Sequence, residues 1–120
     1  MRVEDLQVYQ YLCALVFEVH ELTMRFPKFE MYELGSQLRR SSNSAPANLA
    51  EGFGNKHTKI YTESISRAQG EIRETVHHLR VARKKGYLSE EEITHLVTEY
   101  ERCSKMLFSL EYALELKKKS

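Results

Sequence analysis

The sequence predicts an all-α protein: an antiparallel up-down-up-down four-helix bundle, with residues 1–120 forming one domain. Three observations carry this. Apolar residues recur at spacings of three and four along four long segments, the pattern of one buried stripe per helix. Only two prolines and five glycines occur, which suits long ordered helices better than a strand-and-turn architecture. Those breakers fall mainly at Phe26-Pro27, at Gly52-Phe53-Gly54 and at Gly86, and short connections between long helices make neighbours antiparallel.

The first helix is expected over residues 5–25. Tyr9, Leu12, Val16 and Val19 form one apolar row, with Cys13 on the same face. Val8, Tyr11, Leu15 and Leu22 form a second row, about 100–140° away around the axis. A helix facing a single core needs only one stripe. The first row is therefore assigned to the core and the second to an oligomer interface, since four apolar side chains in line would otherwise stand in water. Phe26-Pro27 closes the helix, because the residue before a proline resists the α region.

The second helix is expected over residues 30–53, with Leu34, Leu38, Ala45 and Leu49 inward. Pro46 has no amide hydrogen and crowds the carbonyl of Ser42, so the helix should be kinked near Pro46, or broken there with Ser44 as a new cap. Asn48 is expected to satisfy backbone groups freed at the kink. Gly52 or Gly54 supplies the left-handed residue that ends the helix. The Gly-x-Gly pair is not a phosphate cradle, because it follows a helix rather than opening one.

Thr58 is a candidate cap for a third helix over residues 59–85, whose stripe is Tyr61, Ile65, Ala68, Ile72, Val76, Leu79 and then Ala82 or Arg83. Lys84 and Lys85 suit its C-terminal dipole, and Gly86 stops it. Ser89-Glu90-Glu91-Glu92 reads as a capping box. The fourth helix then runs to about Lys117, with Ile93, Leu96, Tyr100, Cys103, Leu107, Leu110 and Leu114 as its row. Lys117 to Lys119 read as a frayed basic tail.

No apolar run approaches the ~20 residues that a membrane span needs. The N-terminus carries acids where a signal peptide needs bases and an apolar block, so a cytoplasmic protein is expected. Cys13 and Cys103 lie far apart on apolar faces, without metal-ligand spacing, and read as buried reduced thiols. The net charge is only +1, but residues 25–88 carry twelve bases against six acids. Such a segment could form a positive surface.

A di-metal bundle would need Glu-x-x-His on two helices and a Glu on each of the others. Glu74-x-x-His77 and Glu92-x-x-His95 have that spacing, with Glu18 and Glu51 available. Glu74 and His77 fall on the outer face of their helix, and the two motifs would be offset by roughly 9 Å. Glu92 is already claimed by the cap. No serine or histidine sits in a nucleophile elbow or beside an oxyanion nest. No enzyme activity, metal or cofactor is expected.

Arg39 and Arg40 point about 100° apart on a helix, so they should divide two jobs. One pairs with a carboxylate, such as Glu51 or one on the third helix. The other faces outward and joins Lys56, His57, Lys59 and Arg67 as candidates for nucleic-acid binding. Tyr61 could stack on a base beside them but fits the core stripe better.

Several stretches then resemble a known family: Leu6-Gln7-Val8-Tyr9, Phe26-Pro27, Ser36-Gln37-Leu38-Arg39-Arg40, Pro46-Ala47-Asn48-Leu49-Ala50-Glu51-Gly52-Phe53-Gly54 and Gly86-Tyr87-Leu88-Ser89-Glu90-Glu91. In this order, across nearly the whole chain, they resemble the 23S ribosomal RNA intervening-sequence proteins. Members usually carry more apolar residues where this chain has Ser41-Ser42-Asn43. The resemblance implies a four-helix bundle that assembles as a ring of five and has no known catalytic activity. It also marks Pro46, Asn48, Glu51, Gly52 and Gly54 as a structural motif. The chain is similar, too, to the accessory protein of diversity-generating retroelements, a pentameric bundle that binds nucleic acid and partners a reverse transcriptase. The expected function is therefore that of a homo-oligomeric accessory protein of RNA or DNA, with a nucleic-acid enzyme as a further partner. The alternative is a protein-interaction scaffold without nucleic acid.

Overall fold

The computed structural model describes residues 1–119. Four α-helices carry the fold: α1 (Gln7–Thr23), α2 (Leu34–Gly52), α3 (Thr58–Lys84) and α4 (Glu90–Lys119), with short 3-10 turns at Val3–Asp5 and Lys28–Glu30. No strand occurs among the described residues. All four helices contribute to one apolar cluster, with Leu12, Leu38, Leu49, Ile65, Leu79 and Leu107 wholly buried at its centre.

The assignment of rows on α1 is corrected. Val8, Leu12, Leu15, Val19 and Leu22 are the buried row, while Tyr9, Cys13 and Val16 are only half-buried. Val8, Leu15 and Leu22 are thus core residues and not an exposed oligomer strip. Tyr11, the fourth of that set, is half-buried at the α1–α4 seam. Arg102 stacks its guanidinium 4.0 Å over the Tyr11 ring and donates to its hydroxyl at 2.5 Å. The physical reason lies in the tyrosines. The row 8-12-15-19-22 alternates four and three with aliphatic side chains only, so it can be buried dry. The rival row carries Tyr9, whose hydroxyl must stay near a polar partner or water.

α2 begins later than expected, at Leu34, because residues 28–30 form a 3-10 turn that turns Glu30 into the interior. Helical structure continues through Pro46 to Gly52, so no break capped by Ser44 occurs. Asn48 Nδ2 donates to the carbonyl of Ser44 at 2.8 Å, next to the proline but not to the Ser42 carbonyl that the missing amide leaves. Ser41 and Ser42 are buried where the resemblance leads one to expect apolar residues. The Ser41 and Thr75 hydroxyls are hydrogen bonded to each other at 2.8 Å, and Thr75 also donates to the Glu71 carbonyl. That pairing makes burial of the two hydroxyls tolerable.

The helix ends divide their work as glycine chemistry requires. Gly54, at φ 68°, takes the left-handed position after α2. Gly52 lies in the last turn against α3, where an added Cβ would fall well inside contact distance of Ser64. α3 starts at Thr58 with His57 as the preceding cap residue, and no side chain caps it. It ends with Tyr87 N–H donating to the Ala82 carbonyl at 3.0 Å around Gly86, φ 83°, the hydrogen bond of a Schellman closure. The capping box of α4 forms: Ser89 N–H donates to Glu92 at 2.8 Å and Glu92 N–H to Ser89 Oγ at 3.1 Å.

Side-chain contacts tie distant segments together in a regular order. Lys85 Nζ meets Glu30 at 2.8 Å, Thr75 meets Ser41, and Ser64 packs on Gly52. Gln69 Nε2 donates to the Ser104 carbonyl at 2.9 Å. Arg25 pairs with Glu92 at 2.6 Å and Glu18 with His95 at 2.9 Å. No helix among the described residues is long and apolar enough to cross a membrane.

Candidate nucleic-acid interface

The six basic candidates do not form one surface. Arg39 is half-buried and spends its donors inside the molecule, on Thr23 Oγ1 at 3.1 Å and the Met31 carbonyl at 2.5 Å. It braces the connection between α1 and α2. Arg40 is exposed but ion-paired across to α3, with Glu74 and, at 3.7 Å, with Glu71. Its partners are therefore on the third helix and not Glu51, which is exposed at the end of α2. One arginine pairs with carboxylates of the third helix, as expected, while the other faces inward onto a hydroxyl and one backbone carbonyl instead of outward.

Lys56, His57 and Lys59 do come together, exposed in the α2–α3 connection and the first turn of α3. Arg67 follows two turns further along α3, exposed and 3.9 Å from Glu63. The tail of α4 reaches the same end of the molecule. A cleft of about 450 Å³ is lined by Gly54, Asn55, Lys56, Thr58, Tyr61, Leu114, Lys117 and Lys118. Tyr61 closes its floor as a core residue, only 7% exposed and edge-on to Phe53 at 5.6 Å. Burial pushes its phenol pKa up, against a smaller opposing pull from the Gly54 backbone. A phenol so enclosed does not present its face to a base.

Lys117 and Lys118 line this cleft although the sequence marks them only as a basic tail. The signal for them is the unbroken row of α4, which keeps that helix regular past Leu114 and carries its lysines level with the α2–α3 connection. The chemistry available at this end is that of the ammonium groups of Lys56, Lys117 and Lys118 around an open cleft at the start of α3. Such a cluster attracts phosphates without reading sequence.

The metal candidates are scattered over other tasks. Glu92 serves the α4 cap and Arg25, His95 pairs with Glu18, and Glu74 pairs with Arg40 and lies 3.4 Å from His78. Among the described residues no group of three or more His, Cys, Asp or Glu side chains is arranged to hold a metal ion.

No curated protein matches the chain. The family model described as 23S rRNA-intervening sequence protein matches residues 4–109, from the turn before α1 to well inside α4. With four helices in place and most of its length covered by that match, the chain belongs to the 23S rRNA-intervening sequence protein family.

Proposed function

We propose that this protein is a non-enzymatic, self-associating four-helix bundle that accompanies nucleic acid in the cytoplasm, and that the basic end formed by Lys56, His57, Lys59, Lys117 and Lys118 is its contact surface. The single observation behind the nucleic-acid part is that Lys56, from the α2–α3 connection, and Lys117 and Lys118, from the end of α4, line one open cleft, with His57 and Lys59 exposed next to Lys56 along the chain. Arg39 and Arg40 leave the candidate set, because their donors are engaged within the chain. The resemblance supplies the expectation of five copies in a ring.

Two details of architecture belong to the same reading. The contact order 30 with 85, 41 with 75 and 52 with 64 supports α2 and α3 running antiparallel. The pairs 69 with 104, 18 with 95 and 25 with 92 support the same for α3–α4 and α1–α4, hence up-down-up-down. Pro46 inside α2 has no amide for the Ser42 carbonyl, which favours a bend there.

The test is a binding titration of the purified protein against single- and double-stranded RNA and DNA over a range of salt. Affinity should fall linearly in log–log form, with a slope close to the number of phosphates engaged. Reversing Lys56, Lys59, Lys117 and Lys118 to Glu should abolish binding with helical content unchanged. Absence of binding at about 50 mM salt, a low-salt condition that favours phosphate contacts, would leave the scaffold reading in its place.

A further inference from the structure

We infer that the outer groove between α1 and α2 is the seat for the C-terminal part of α4 from a second copy of this chain. The inference rests on the self-association proposed above and names the two surfaces that meet.

The groove is lined on one side by Tyr9, Cys13 and Phe17 and on the other by Asn43, Pro46 and Ala47. Its composition is unusual for this protein. Charged residues make up 29% of the chain, yet residues 7–17 of α1 and 41–50 of α2 contain none. These two charge-free runs lie side by side, and part of each is open to solvent: Phe17 is 71% exposed, and Ala14, Asn43 and Ala47 are exposed as well. Depletion of charge together with an exposed aromatic is the compositional mark of an interface core. Small residues on the α2 side let another helix approach closely.

The complementary surface is on α4. Phe108, Tyr112 and Leu116 are 66%, 59% and 52% exposed. Their spacing of four puts them in one stripe, flanked by the small exposed residues Ser109 and Ala113. This stripe faces away from the core row that ends in Leu107, Leu110 and Leu114, so it cannot fold back into its own groove. From Phe108 to Leu116 is eight residues, about 12 Å, and from Tyr9 to Phe17 is the same length of helix. Every copy thus carries a concave uncharged groove and a convex aromatic ridge of matching length on different helices. One head-to-tail contact covers both, and such a contact repeats into a closed ring or a filament. A partner of another kind would cover only one of them.

The experiment uses the full chain and light scattering at micromolar concentration. Phe17→Glu damages the groove and Tyr112→Glu the ridge, both at exposed positions, and circular dichroism checks that each variant stays helical. Each alone should fall from the assembly to a single-chain mass. Mixed in equal amounts, they should form a two-chain species and nothing larger, because one intact groove meets one intact ridge. In a second variant, Tyr112→Cys should cross-link under mild oxidation to Cys13 of another copy, and Cys13→Ser should abolish the product. If the wild-type protein is a single chain, self-association fails and the inference with it. If the wild type assembles and both Glu variants assemble as well, or no cross-link forms, the surfaces are wrong while self-association stands.

Discussion

Tyr100 is wholly buried in α4, and its hydroxyl has no hydrogen-bond partner. Burial pushes its pKa far up, so the phenol stays neutral, yet an unpaired buried hydroxyl still costs about 1–3 kcal/mol. Tyr100→Phe should therefore stabilise the protein by about 1 kcal/mol, read as a higher urea midpoint. A loss of stability would mean that the hydroxyl has a partner. Cys103, one turn away, is buried, and its thiol is pushed up to about 11, chiefly by desolvation. Cys13 is half-buried at the groove instead. In the Tyr112→Glu variant, whose groove no second copy covers, a maleimide reagent at neutral pH should therefore label Cys13 and leave Cys103 untouched until the protein unfolds, because the thiolate is the reacting form. Labelling of both thiols at one rate in the folded protein would contradict this. The positions of Tyr100 and Cys103 are legible in the sequence, since both lie on an unbroken row. Partnership is not legible: an orphaned hydroxyl, or an arginine that donates to Thr23 and Met31, depends on what the neighbouring segments bring within about 3 Å.

At the scale of the elements, Gly52 decides how closely α2 and α3 approach. Its sequence context reads as a helix stop, and it does end α2, but its lack of a Cβ matters more, because Ser64 occupies the space. Gly52→Ala gains up to about 1 kcal/mol of helix propensity. It also forces a methyl into buried Ser64, whose Oγ is held by the Tyr61 carbonyl at 2.7 Å, and overpacking of that kind costs about 1–3 kcal/mol. The clash should win, and Gly52→Ala should lower stability by about 1–2 kcal/mol. Adding Ser64→Gly should make the pair less harmful than the sum of its parts. Strict additivity in urea unfolding would show that the two residues do not touch. The four helices and most of their rows were legible because period and breakers agreed, with the Ser89–Glu92 box marking the start of α4. The rows of α1 were not, because Leu12 and Val19 of one expected row share the buried face with Val8, Leu15 and Leu22 of the other, and only the absence of a tyrosine marks that mixed row as the dry one. The site was legible in part for a related reason. Lys56, His57 and Lys59 are neighbours in sequence, whereas Lys117 and Lys118 join them only through the length of a helix that starts at Glu90.

Across the whole molecule, three carboxylates fasten segments that are remote in sequence. Glu30, wholly buried, joins the α1–α2 connection to the end of α3 through Lys85 at 2.8 Å and Tyr87 at 2.7 Å. Glu74 joins α3 to α2 through Arg40, and Glu92 joins α4 to the end of α1 through Arg25 at 2.6 Å. All three are held below the usual carboxylate range. For Glu30 the cause is chiefly the Lys85 hydrogen bond, then that of Tyr87. For Glu74, burial pushes upward and is outweighed by Arg40 and His78 together, and for Glu92 the Ser89 amide leads. A depressed carboxyl takes up its proton more readily when unfolded, so its stabilisation is full above the unfolded value, about 4.3 for Glu, and is lost as pH falls through the folded value. The three losses share one direction and one window, and the protein should weaken steeply below about pH 4.3. Lys85 and Tyr87 add an alkaline counterpart. Both are raised, chiefly by their bonds to Glu30, so their contribution is present below their unfolded values, near 10, and is lost as pH climbs through the folded ones. Glu30 is the one carboxylate common to both limbs. Glu30→Gln keeps the shape and removes the charge, so it should lower stability at neutral pH and flatten both the acid and the alkaline fall. Urea midpoints measured across both windows decide this: a variant with a lower plateau but limbs as steep as the parent's would show that the charge on Glu30 is not what links the two ends.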